Sequence, residues 1–130
     1  MVQFLQPIQV KALLLDPQRR DNILILDVRD DDFAGGHIKC THFLNVPSYD
    51  LSSGPAIDEF IEQRIPNTVD TVIVHCYLSQ QRGPTAARRI HERLLQLERE
   101  GKPEICVMAH GWRRWQNLFG DDPQLCVYPT

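Results

Sequence analysis

The sequence predicts an α/β fold in which a mostly parallel central sheet carries helices on both faces. Short apolar runs of strand length alternate with helical segments along the whole chain, with no repeat, linker or low-complexity tract between them. Those runs are apolar at successive positions and not only at every second one, the pattern of strands covered on both sides. Strands separated by helices must pair in parallel, since the chain returns to the same end of the sheet before each new strand. The length of 130 residues is that of one domain, 1–130, with a single sizeable core.

Taken in order, Pro7 opens a first helical segment, IQVKALLL, because proline fits the first turn, where no N–H is needed. ILILDV (Ile23–Val28) and FLNV (Phe43–Val46) read as buried strands. IDEFIEQRI (Ile57–Ile65) reads as a helix that must stop at Pro66. TVIVH (Thr71–His75) is the next strand, followed by the long amphipathic TAARRIHERLLQLEREG, closed by Gly101. EICVM (Glu104–Met108) is a further strand, and the short GWRRWQNLF helix ends at Gly120. In sheets of this kind ligands bind beyond the carboxyl ends of the strands, which is where Cys76 falls.

Composition narrows the class. Hydrophobic residues at 42% and charged residues at 24% are ordinary for a globular protein, and a net charge of -3 argues against a polyanion as the main partner. No apolar run is long enough for a membrane span, and MVQFLQPIQV lacks the segments of a secretory signal. Cys40, Cys76, Cys106 and Cys126 are far apart, with no CxxC pair to suggest a zinc site or redox dithiol. The expectation is a chain without bound metal or resident cofactor, its thiols reduced in the cytoplasm or the nucleus.

The stretch HCYLSQQRGP concentrates the chemistry. A loop leaving a buried strand for a helix can turn successive N–H groups inward as an anion nest, and the helix adds its positive dipole end. Gly83 permits a sharp exit and Pro84 fits the first helical turn. The field that attracts an anion there also stabilises a thiolate on Cys76, while Arg82 offers a planar fork for two oxygens of a tetrahedral oxyanion. One loop thus supplies nucleophile and receptor, with Tyr77, Leu78, Ser79, Gln80, Gln81 and Gly83 lining the substrate.

HCYLSQQRGP resembles the active-site loop of the cell-division-cycle dual-specificity phosphatases and the related eukaryotic arsenate reductases, small catalytic domains of rhodanese fold. DVRDDDFAGGHIKCTHFLNVP is similar to the family's first signature, an Asp-x-Arg followed by Gly-Gly-His-Ile, and HGWRRW to its third. The three matches occur in family order across the chain, as in single-domain fungal and plant members. The resemblance implies a central, mostly parallel five-stranded sheet. Sulfurtransferases of this fold have an active loop one residue shorter, so the longer loop implies a cradle for phosphate or arsenate.

The departures from that pattern carry expectations of their own. The cell-cycle phosphatases have glutamates where this chain has Tyr77 and Gln81, so good leaving groups such as aryl phosphates should be favoured. They also have a cysteine where this chain has Val28, so an external thiol such as glutathione would resolve an oxidised or arsenylated Cys76. Ser79 carries the only hydroxyl near enough in sequence to assist the thiolate. Asp27 is a candidate acid beside the loop, but more simply a structural carboxylate holding Arg29 or loop N–H groups. Asp30, Asp31 and Asp32 could hold a general acid or form a solvated face. His75 orients the loop by hydrogen bonds or, less simply, acts as a base. His37 reads as packing within the Gly-Gly-His turn, and Trp112 and Trp115 as core. The basic ARRIHER stretch could attract a phosphorylated protein, but i to i+4 pairing with Glu92 and nearby acids is the simpler explanation.

These residues point first to a cysteine-dependent phosphatase for phosphotyrosine-like aryl phosphates. An arsenate reductase using glutathione and glutaredoxin comes second, a non-catalytic binder of phosphorylated ligands third, and a thiosulfate-type sulfurtransferase fourth. The partners expected are a phosphorylated protein or a small oxyanion, with no nucleic acid and no membrane.

Overall fold

The computed structural model describes residues 1–99 and 102–129. Five strands, β1 (Gln3–Leu5), β2 (Ile23–Asp27), β4 (His42–Asn45), β5 (Thr71–His75) and β6 (Glu104–Met108), form one sheet in the order β1-β6-β5-β2-β4. Every neighbouring pair is parallel. A separate antiparallel ribbon pairs β3 (His37–Ile38) with β7 (Cys126–Val127).

Side chains alternate across each strand, so one sequence of apolar residues feeds two cores. Leu24, Leu26, Val72, Val74, Ile105 and Val107 point to the face covered by α2 (Gly54–Glu59) and α3 (Arg82–Gln96), where they meet Ile57, Ala86, Ala87, Ile90 and Leu94. Ile23, Ile25, Ile73, Cys106 and Met108 point to the other face, against Val10 and Leu14 of α1 (Pro7–Leu15) and Trp112 and Trp115 of α4 (Gly111–Phe119). Each fully buried Ile or Leu contributes about 1.5–3 kcal/mol of transfer free energy. That two-sided burial is what the uninterrupted apolar runs demanded.

Several boundaries differ from the sequence reading. β1 is an edge strand of three residues that the apolar pattern does not single out, and it pairs with β6 a hundred positions away (Gln3 opposite Cys106). The helix read over Ile57–Ile65 is two pieces, α2 and a π turn at Phe60–Arg64. Helix α3 starts at Arg82, ahead of Pro84, so that Arg82 is its first residue. It ends at Gln96, where Glu98 takes the left-handed conformation (φ 59°) that commonly closes a helix. Gly101, the closing residue expected from the sequence, lies outside the described residues. The basic face of α3 also pairs otherwise than expected. Arg93 binds Asp58 and Arg99 binds Glu62, whereas Arg88 and Arg89 have no carboxylate partner among the described residues. No described helix is long and apolar enough to cross a membrane.

Candidate active site

The loop between β5 and α3 lies at the carboxyl end of the central strand. Cys76 follows His75, the last residue of β5, and its Sγ is buried at the base of the loop. The N–H groups of Ser79 (3.2 Å) and Gly83 (3.3 Å) donate to that sulfur. Among the described residues, no protein acceptor takes the N–H of Tyr77, Leu78, Gln80, Gln81 or Arg82. The loop closes on itself because Ser79 adopts φ 54°, a left-handed conformation that costs a non-glycine residue about 1–2 kcal/mol. Its hydroxyl does not face the sulfur as the sequence suggested. Ser79 Oγ accepts from the Cys76 N–H at 3.4 Å, and the backbone of Ser79 serves Sγ instead.

Gly83 is not at the sharp turn either, for its φ is negative. It is needed for closeness: a Cβ there would lie 3.3 Å from Cys76 N and 3.4 Å from His75 C, tighter than most packed contacts. Absence of that Cβ lets the first turn of α3 sit directly against the nucleophile's backbone.

The carbonyls of the loop face the other way, and α4 holds them there. The N–H of Trp112 donates to Cys76 O (2.9 Å) and that of Arg113 to Tyr77 O (3.1 Å). His75 Nδ1 reaches the same Cys76 carbonyl at 3.0 Å, and a carbonyl only accepts, so Nδ1 carries the proton. Burial holds the His75 pKa below its ordinary value, which leaves the ring neutral and tied to loop orientation. Gly111 makes the docking of α4 possible. A Cβ at Gly111 would lie 2.3 Å from Tyr77 O and 2.4 Å from Cys76 O, and φ there is +63°. Gly111→Ala is therefore expected to push the loop off α4 and lower activity about tenfold or more, with a loss of stability of about 1–3 kcal/mol. Steady-state kinetics and denaturant unfolding check this; an unchanged variant would mean that α4 does not shape the loop.

Arg82 meets carboxylates beside the loop. Its Nη1 and Nη2 grip Asp32 at 2.8 and 2.6 Å, and Asp30 lies 3.6 Å from Nη1. The Arg82 guanidinium holds the Asp32 carboxyl below its ordinary pKa, so Asp32 is ionised at neutral pH. Asp32 is therefore neither a plain solvated residue nor, in this arrangement, a source of protons. Arg29, expected from the sequence only as a partner of Asp27, is what places Asp32. Arg29 is buried, forks onto Asp27 (2.7 Å from Nη2 to Oδ2), and donates to the carbonyls of Asp32 (3.2 Å) and Gly36 (2.8 Å). Its guanidinium also stacks over Phe33 and Trp112, each centroid 5.1 Å away. Asp27 is wholly buried and committed to this pair, so the structural carboxylate is the reading that the geometry supports.

The remaining residues singled out in the sequence divide into two groups. Tyr77, Leu78, Gln80 and Gln81 are exposed around the loop mouth. His37 packs in a cluster of three near-parallel rings with Phe33 (5.6 Å) and Phe43 (4.2 Å), with Nδ1 donating to Ile38 O, and its ring is occupied by packing. Cys106 and Cys126 lie in the core on the α1 and α4 side and Cys40 packs against it, whereas Cys76 and Val28 belong to the α2 and α3 side. Burial pushes the Cys40 thiol up to about 12, and burial with Glu104 nearby does the same for Cys106. No group of three or more His, Cys, Asp or Glu side chains among the described residues is placed to hold a metal ion.

Residues 10–118 match the model of the rhodanese-like domain. The chain is 30% identical to the CDC25-like phosphatase YCH1 of Saccharomyces cerevisiae, over 93% of this chain and 86% of that protein. It is 31% identical to arsenical-resistance protein 2 of the same yeast, over 89% of each chain. The solved As-Sb reductase of Leishmania major superposes with a TM-score of 0.88 over 100% of this chain and 88% of that one, and at 21% identity it speaks for the fold alone. With the three sequence signatures brought together around the Cys76 loop, the chain belongs to the rhodanese-like family, as an enzyme of the group that holds the Cdc25-like phosphatases and arsenate reductases.

Proposed function

We propose that this protein is a cysteine-dependent phosphatase for aryl phosphate monoesters of the phosphotyrosine kind. The observation that carries the reading is the loop itself: a sulfur at the base of a ring of N–H groups, several of them without a protein acceptor. The Cys76 thiolate attacks phosphorus, the bond to the aryl oxygen breaks, and the leaving group departs as phenolate, taking its proton from water. The loop N–H groups and Arg82, released from Asp32, bind the equatorial oxygens as charge develops on them. Water then attacks the cysteinyl-phosphate, the S–P bond breaks, and phosphate leaves with the thiolate restored.

Proton supply limits the range of substrates. The loop presents Tyr77 and Gln81 but no carboxyl group, Asp27 is locked onto Arg29, and Asp32 is held ionised by Arg82. A leaving oxygen that receives no proton must leave as an anion, so rates should fall steeply as the phenol becomes less acidic, and alkyl esters such as phosphoserine should be poor substrates. Gln81→Glu should flatten that series. Asp32→Asn should keep the slope and lower KM, because the carboxylate that grips Arg82 most closely is then gone. A shallow series in the wild type, made steep by an Asp→Asn change at position 27, 30, 31 or 32, would identify that aspartate as the donor and overturn this account.

A second reading is favoured by one observation: Cys76 has no other thiol on its side of the sheet. In arsenate reduction, Cys76 would displace water or hydroxide from arsenate. A glutathione thiolate would then attack Sγ, leaving the electron pair of the S–As bond on arsenic, so that As(V) becomes As(III). The resulting Cys76–glutathione disulfide would be reduced by glutaredoxin. Assaying one preparation with p-nitrophenyl phosphate, and with arsenate plus glutathione and glutaredoxin, separates the two. Thiosulfate with cyanide tests sulfur transfer alongside. Phosphate release from the aryl ester supports the first reading, and its absence rejects it.

A further inference from the structure

Beside the Cys76 loop, a groove of about 470 Å³ runs from the loop onto α4. Leu78 and Gln80 form its near wall, Gln6 its side, and His110, Arg113, Arg114 and Asn117 its far wall. No carboxylate lines it, although the chain as a whole carries a net charge of -3. Arg113 and Arg114 are exposed and, among the described residues, neither pairs with an acid. Arg19, Arg20, Arg29, Arg82, Arg93 and Arg99 do, and the other arginines without a carboxylate partner among the described residues, Arg64, Arg88 and Arg89, do not line this groove. Two guanidinium groups left unpaired, flanked by amides able to bond a peptide backbone, make a receptor for carboxylates.

Position fixes what those carboxylates belong to. Leu78 and Gln80 are at once the rim of the oxyanion loop and the start of the groove, so a chain whose phosphorylated side chain enters the loop must pass along the groove on one side. The α4 backbone is tied to the loop through Trp112 and Arg113, which keeps the groove in register with Cys76. On the opposite side of the loop a groove holds Arg82 and Arg89, but Arg82 is already paired with Asp32 and lies 3.6 Å from Asp30, so that side offers one unpaired guanidinium against two here. We propose that the groove selects phosphotyrosine peptides with acidic residues immediately flanking the phosphotyrosine on one side. This rests on the phosphatase reading and adds the substrate class to it. Electrostatic complementarity of this kind acts on encounter and on KM, and salt screens it.

The test uses the full chain with three probes: p-nitrophenyl phosphate, which fills only the loop, and two phosphotyrosine peptides of equal length, one flanked by aspartates and one by asparagines. At low salt the wild type should show kcat/KM about tenfold higher for the acidic peptide, through KM, with the advantage shrinking as salt is added. Arg114→Glu, which leaves the N–H groups of Trp112 and Arg113 in place, should abolish or invert that preference while p-nitrophenyl phosphate turnover stays within about twofold. Equal kcat/KM for the two peptides, or a preference unmoved by Arg114→Glu, overturns the groove. Calorimetric binding of both peptides to Cys76→Ser reads the groove without chemistry. Selective binding there without any p-nitrophenyl phosphate turnover in the wild type would keep the groove and reject the phosphatase. Turnover without selectivity would do the reverse, and the absence of both rejects both.

Discussion

Cys76→Ser is expected to lower p-nitrophenyl phosphate turnover by a factor on the order of a thousand or more, the scale on which removal of a nucleophile acts. The sulfur receives N–H groups from Ser79 and Gly83 at the N-terminus of a fifteen-residue helix, an environment that favours an anion. A serine hydroxyl is a far weaker acid than a thiol and a poorer nucleophile, so the pocket survives while the nucleophile is lost. Since the donors are backbone groups, inorganic phosphate should bind the variant about as well as the wild type, and the melting temperature should move little. Steady-state rates with calorimetric phosphate binding check both halves. Similar rates in the two proteins would reject the thiolate mechanism, and loss of phosphate binding would show that the loop had collapsed.

Arg82→Lys is expected to cost roughly 2.7–4 kcal/mol of transition-state stabilisation, or about 10²–10³ in kcat, in the range of other lost oxyanion contacts. A lysine keeps the charge but cannot present two parallel N–H bonds to two oxygens. The same change also breaks the fork onto Asp32, but that pair is about a third exposed (31% and 37%). Its loss should therefore alter stability by less than about 1 kcal/mol. A large kinetic effect with a small effect on unfolding is the expected combination. An Arg82→Lys enzyme within threefold of the wild type would mean that Arg82 stays on Asp32 throughout the reaction.

How far these arguments could be made from the sequence differs element by element. β5 and β6 were legible to the residue because a strand buried on both faces is an uninterrupted apolar run. The Cys76 loop was legible because its nucleophile, arginine, glycine and proline are contiguous and their spacing constrains the backbone locally. β1 was not, since three residues carry no period and its pairing is set by β6 at the far end of the chain. The Ser79 hydroxyl was misplaced for a related reason: proximity along the chain says which residues can meet, whereas the φ of 54° decides which atom does.

By itself, the sequence determined the layered α/β architecture, the strand that ends in Cys76 and the chemistry available there. These depend on burial patterns and on bonds among neighbours, both of which are written locally. Only the tertiary structure decided that Arg82 is held by Asp32, that Arg29 carries the acidic loop to it, and that α4 turns the loop carbonyls outward. The Arg82–Asp32 and α4–loop contacts join residues from different segments of the chain, whereas those of Arg29 are local but form around a guanidinium that the fold buries. Charge and hydrogen-bonding capacity can be read from a residue's type, but the partner that satisfies them is chosen by the packing of the sheet and its helices.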